Sequence, residues 1–332
     1  MAVPVERQRA RMGIYGPISK LVHSSPRRVR EGMWGLTFVS PWILGLIIFT
    51  VGPIIASFYW SFTEFDILAT PRWIGLENYA RALHFNKILP FWPDIKPDRL
   101  FYLAMGKTLI YASITVPIGT VGSLLLAVLL NQGLRGTYYY RTLFFIPHLI
   151  PSIAAVMLWK FLMHPRIGLL NSMLGAIGVQ GPGWLNHPKT ALMSVVVIGL
   201  WGSIGGNRML IFLAGLQGVP TVLYEAAEID GAGSWRKFWH VTLPMISPTV
   251  LFNLILGVIG ALQVFTVAFV GTHGGPSYAT WFYALHIYRQ AFEYFRMGYG
   301  SALAWLFALA LIVFTAIQMR LSEKWVFYAG GS

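Results

Sequence analysis

A chain of 332 residues that is 56% hydrophobic and only 11% charged falls far below the roughly 25% charge of an ordinary soluble domain. It has no cysteine, so disulfides, thiol catalysis and Cys-type zinc sites are excluded. The formal net charge of +13 is concentrated in a short N-terminal tail rather than spread over a soluble face, which points to a lipid surface and away from nucleic acid.

Residues 1–33 form that basic tail, with Arg7, Arg9, Arg11, Lys20, Arg27, Arg28 and Arg30. Six stretches then reach the ~20 mostly apolar residues of a spanning helix. They are Leu36 to Trp60, Met105 to Leu130, Leu143 to Phe161, Ala191 to Leu213, Ile246 to Val270 and Tyr299 to Met319. The first lies too far from the start, and is too long, for a cleavable signal core, and reads as an uncleaved anchor. Trp60 to Ala104 is a long loop holding "WIGLENY". Pro147 and Pro151 are placed to kink the start of the third span. The 164–190 loop carries an amphipathic helix near Leu169 to Ile177 and then a Gly/Pro turn. A span must satisfy its own backbone groups in lipid. The expected fold is therefore an all-α integral membrane protein of six transmembrane helices, residues 34–332, behind the tail. With the N-terminus inside, thirteen bases face the cytoplasm and nine face outward, so both termini are expected to be cytoplasmic.

Between spans four and five lies a polar island, residues 220–245, containing "LYEAAEIDGAGSWRKFWHVTLP". Pro220 or Thr221 can open a helix through Tyr224, Glu225 and Ile229. Glu225 and Glu228 sit near its N-terminus, where the helix dipole favours acids. Ala226 and Ala227 allow close approach of another surface. Gly231 and Gly233 break this helix, and Ser234 can cap a second one. Trp235, Phe238, Trp239 and Thr242 then share one face, and Pro244 ends the pair. A merely solvated loop has no need of three large aromatics in one stripe. A partner groove that takes a docked helix explains them.

"EAAEIDGAG" followed by "VTLP" resembles the EAA signature of binding-protein-dependent ABC importer permeases. Glu225, Ala226, Ala227, Gly231, Leu243 and Pro244 match the pattern, with Val241 where isoleucine is common. "WIGLENY", "FFIPHLIPS" and "GGP" at Gly274 to Pro276 are similar to the first of two paired permeases in the carbohydrate-uptake branch. The resemblance implies a coupling-helix pair in the island, which includes Asp230. It would be seated on one of two ATP-binding cassette subunits. It also implies a second permease subunit as heterodimer partner, an external solute-binding lipoprotein, and residence in the inner membrane of a prokaryote. The chain has no G-x-x-x-x-G-K-[ST] loop. No cofactor is expected in it, and ATP and Mg belong to the partner ATPases.

Within the spans, Gln263, Phe265 and Trp201 are the candidates for the substrate pathway, as a polar contact and two rings able to stack on a sugar. Asn207, Asn253 and His148 are assigned to packing or the interface. The competing reading is a secondary transporter or channel. Ion-coupled carriers usually hold acids inside their spans, and every acid here falls in a tail or loop.

Overall fold

The computed structural model describes residues 26–84, 98–133 and 135–327. The expected tail bases Arg7, Arg9, Arg11 and Lys20 and the loop bases Lys87 and Lys96 lie outside them. The chain divides into two units, Met1–Trp60 and Ser61–Ser332.

The first unit is helical from Pro26, ten residues earlier than expected. Helix α1 (Pro26–Leu46) runs through a π-turn, Ile47–Val51, into α2 (Gly52–Ser61). The π-turn has a local cause. Pro53 has no N–H to continue the ladder, and the Gly52 N–H reaches five residues back to the Ile47 carbonyl. Hydroxyls bond within the helix: Thr37 donates to the Met33 carbonyl at 2.9 Å and Ser40 to that of Thr37 at 2.8 Å. These two hydroxyls therefore need no water, as a lipid-embedded helix requires.

The second unit opens with the only departure from an all-α fold among the described residues. Strands β1 (Thr63–Glu64) and β2 (Arg72–Trp73) pair antiparallel, with Thr63 opposite Trp73 and Glu64 opposite Arg72. Helix α3 (Glu77–Leu83) follows. The buried Asn78 of "WIGLENY" donates its amide to the Ser61 carbonyl at 3.0 Å and the Thr63 carbonyl at 2.9 Å. The motif thus pins the hairpin at its base.

Helix α4 (Arg99–Leu130) is the central element, and starts at Arg99 rather than Met105. The third expected span is not one helix. Helices α5 (Thr137–Leu149) and α6 (Ser152–Leu162) meet at 95°. Pro151 forces the preceding Ile150 into extended backbone (φ −71°, ψ 128°), so the break falls mid-segment and not at its start. The amphipathic helix appears as α7 (Leu169–Ala176). The fourth span is also bent. Helices α8 (Pro188–Ser203) and α9 (Gly206–Gln217) meet at 46°, across Gly205 at φ +98°. Helices α10 (Thr221–Ile229), α11 (Ser234–Lys237) and α12 (Leu243–Met245) make up the island, with a π-turn at Phe238–Thr242. Helix α13 (Ser247–Leu262) breaks at Gln263 before a π-helical segment, Val267–Thr272. Helices α14 (Tyr283–Tyr288) and α15 (Met297–Ser322) complete the unit.

By length and composition four helices can cross a membrane, or up to six if each bent pair is one span. Helices α9 and α13 both pack on α4. Two buried clusters hold the unit together. One gathers Phe101, Tyr111, Val195, Trp281, Phe282, Tyr283, Leu303 and Phe307. The other gathers Leu124, Ala127, Met209, Phe212, Leu216 and Ile246, close to the island.

Candidate functional site

The island folds as two short helices joined by a tight turn. Asp230 is the C-cap of α10, and Gly231 follows at φ +76°. The Ala232 N–H donates to the Ala227 carbonyl at 2.8 Å and the Gly231 N–H to that of Glu228 at 3.0 Å. This six-to-one and five-to-two pattern ends a helix with a glycine in the left-handed region. The second helix begins differently from expectation. Gly233 is its N-cap and makes no side-chain bond, so Ser234 is the first helical residue and not the cap. Pro244 does not end the pair either. It lies in the first turn of α12, where its missing N–H costs nothing, and the chain turns at Ile246 instead.

Two links fix the two helices to each other, and a ring cluster stiffens the second. Lys237 Nζ donates to Glu228 Oε1 at 2.6 Å. The Tyr224 hydroxyl and Thr242 Oγ1 lie 2.9 Å apart. Trp235, Phe238 and Trp239 form a contiguous ring cluster. The pair is anchored to the spans by Tyr224, Phe238, Val241 and Leu243, which pack against the lower cluster of Phe212, Leu216 and Ile246. The expected aromatic stripe therefore divides. Phe238 and Thr242 turn inward, whereas Trp235 is 72% exposed. Glu225, Ala226 and Asp230 are exposed and Ala227 is half-buried. Val222 and Ile229 leave further apolar surface uncovered on α10.

Two adjoining cavities lie between the helices. The first, of about 370 Å³, is lined by Tyr111 and Thr115 of α4, His148 of α5, Asn207 and Arg208 of α9, and Asn253 and Gly257 of α13. The second, of about 460 Å³, is lined by Pro147, His148, Trp201 and Phe265 among others. His148, Gly199 and Gly202 wall both. Trp201 and Phe265 thus face one space, as expected of ring-stacking candidates, although each also packs: Trp201 edge-on to Trp159, and Phe265 stacked on Phe269. Gln263 does not join them. It is the exposed C-cap where α13 ends and lines neither cavity, because the helix breaks just before it could carry the side chain inward.

Asn207 and Asn253, expected to pack, and His148, expected at the interface, all line the first cavity. Arg208 is its single charged wall residue. A usable signal was present: "GGNR" places an arginine just past two glycines inside an apolar stretch, where a charge without a function is costly.

On the side of the hairpin, Asp98 caps α4 by accepting the Leu100 N–H at 2.9 Å. Its other oxygen lies 2.8 Å from His286 Nε2 and accepts the Tyr299 hydroxyl at 2.8 Å. Trp281 Nε1 donates to His286 Nδ1 at 3.1 Å, which leaves the ring proton on Nε2, facing Asp98. Burial pushes the Asp98 carboxyl up, but His286, Tyr299 and the Leu100 N–H together outweigh it and hold the pKa down at about 2. His286 is fully buried. The network is a structural clasp that joins α4, α14 and α15.

The family described as binding-protein-dependent transport system inner membrane component matches residues 119–327. The probable ABC transporter permease protein YesP of Bacillus subtilis is 36% identical over 303 residues, which cover 90% of this chain and 93% of that protein. The trehalose/maltose transport system permease protein MalF of Thermococcus litoralis is 31% identical over 305 residues, covering 90% and 97%. Among solved structures, a chain of a bacterial ABC transporter involved in the import of the acidic polysaccharide alginate has the same fold. Its TM-score is 0.77 at 21% identity, covering 90% of this chain and 98% of that one.

Proposed function

Because this chain belongs to the family of binding-protein-dependent transport system inner membrane components, we propose that it works as one of two membrane halves around a shared sugar pathway. It is a multi-pass permease subunit of a carbohydrate-class ABC importer, and the hydrolysis of ATP belongs to other subunits. Six spans, counting each bent pair as one, put both termini in the cytoplasm and the 220–245 island beside the ATPase. The complex then holds a second permease, two ATP-binding cassettes and an external binding protein.

In this reading α10 docks in a groove of the cassette through Glu225, Ala226, Ala227, Asp230 and Gly231. The observation that carries it is mechanical. The island is tied by Tyr224, Phe238, Val241 and Leu243 to a cluster built partly from α9 and α13. Those two helices also wall the Arg208 cavity. A push on the island is therefore a push on the walls of the pathway, because packed interiors transmit displacement rather than absorb it. Closure of two ATPases on ATP supplies the push.

The test is Glu225→Lys in the complete complex. Glu225 is exposed and outside every span, so membrane insertion and abundance should match wild type. Reversal of a docked charge should cost about 2–5 kcal/mol of association, read as lost co-purification of the ATPase and lost uptake. Wild-type uptake and ATPase retention in this variant would remove the docking role.

A further inference from the structure

Arg208 needs an explanation that packing does not supply. It projects from the first turn of α9 into the smaller of the two adjoining cavities, walled by residues of α4, α5, α8, α9 and α13. No Asp or Glu lines that cavity. Among the described residues Arg208 makes no ion pair, and its Nη1 is buried without a hydrogen-bond partner. A guanidinium in this state is expensive, since a buried donor left unmade costs its full desolvation. Yet the surroundings are shaped to admit it. A Cβ added at Gly119 of α4 would stand 2.6 Å from Nη1, and one added at Gly257 of α13 would stand 2.9 Å from Nη2. Two glycines on two different helices thus hold open the slot in which the charge lies. Its polar neighbours Tyr111, Asn207, Asn253 and His148 can donate hydrogen bonds, and the broken helix turns its N-terminal end toward the same space.

We propose that the cavity takes the anionic group of the transported molecule, so that the cargo is a saccharide bearing a carboxylate, phosphate or sulfonate. A planar guanidinium meets such a group in a bidentate fork, which a sugar hydroxyl cannot match. The guanidinium that lines the cavity, with no acid beside it, is the donor that the cargo meets. Trp201, in the adjoining cavity, is left to stack on the ring. This deepens the permease reading above and rests on it.

The experiment uses the absence of native cysteine. Gly202 walls both cavities, and a side chain there meets nothing within 4 Å, so Gly202→Cys gives a reporter without crowding. Its maleimide labelling is followed in the complete complex in nanodiscs. The probes are digalacturonate against its dimethyl ester, and glucose 6-phosphate against glucose. At least one anionic probe should protect the cysteine at concentrations about tenfold or more below its neutral counterpart. The pair that shows the difference distinguishes a carboxylate cargo from a phosphate one. Arg208→Gln should bring that ratio close to one. Arg208→Lys, a point charge, should leave part of it, and Gly257→Ala, which displaces the guanidinium while keeping the charge, should reduce it. Equal protection by charged and neutral probes, or a ratio that survives Arg208→Gln, would overturn the proposal. ATP with vanadate is added in a parallel arm. If labelling changes with nucleotide but shows no charge preference, the permease reading stands and the anionic cargo falls. If labelling responds neither to nucleotide nor to any probe, both fall together.

Discussion

Gly231 sits at φ +76°, and a Cβ built there would meet no heavy atom within 4 Å. What it supplies is therefore backbone conformation alone. Gly231→Val should cost about 1–2 kcal/mol through the left-handed backbone, enough to unwind the last turn of α10 and lower ATPase co-purification and uptake together. Gly231→Asn should keep most of both, since asparagine tolerates that region. Equal behaviour of the two variants would show that space, not φ, is limiting. Asp98 carries a different kind of information. Its pKa of about 2 lies below the ordinary carboxylate value, so the unfolded chain binds the extra proton. Its contribution is full above about pH 4 and is lost as pH falls through 2. Asp98→Asn should cost about 1–3 kcal/mol at neutral pH by loss of charged hydrogen bonds. Thermal unfolding of the purified protein should then lose most of its acid sensitivity in that window. An unchanged acid limb would place the sensitivity elsewhere.

At the scale of elements, the helices that bend are among those that wall the two cavities. Pro151 and the Gly205–Gly206 pair break α5–α6 and α8–α9, and both breaks open onto the two cavities through His148, Ile150 and Gly205. A straight helix in either place would present a continuous side-chain stripe instead of a walled space. The island depends on its ties in the same way. Phe238 is half-buried between the exposed tryptophans and the lower cluster. Phe238→Ala should cost about 2–3 kcal/mol locally, below the usual range for a fully buried ring because the burial is partial. The expected phenotype differs from that of Glu225→Lys. The ATPase should still co-purify, but binding protein loaded with sugar should no longer stimulate its turnover. Loss of ATPase binding in this variant would mean that the face toward the cassette, not the face toward the spans, had been damaged.

For the whole molecule, the orientation in the membrane follows from the count of spans. Ser234 on the island and Ser277 beside "GGP" are both exposed. With each bent pair crossing once, they lie on opposite faces of the bilayer. A cysteine at Ser234 should react with impermeant maleimide only from the cytoplasm, and one at Ser277 only from outside. If the two sides are reversed, one bent pair re-enters the face it left. The coupling role of the island would then lose its compartment.

Composition pointed to a membrane protein, and the length of its apolar stretches to helices. Local spacing determined where its elements lie: the amphipathic helix at Leu169, the opening of α10 after Pro220, and the glycine stop at Gly231 all depend on residues within a few positions of one another. The EAA pattern was legible for the same reason, because α10 and its turn form one continuous segment. The cavity was not legible. Tyr111, His148, Arg208 and Asn253 come from four helices separated by dozens of residues, and each alone reads as packing. Gln263 shows the converse, since its polarity was visible but the helix break that leaves it exposed and outside both cavities was not. Periodicity reports what a residue's own helix does. Only the crossing of helices, with Gly119 and Gly257 opening space around one guanidinium, decides which polar side chains share a site.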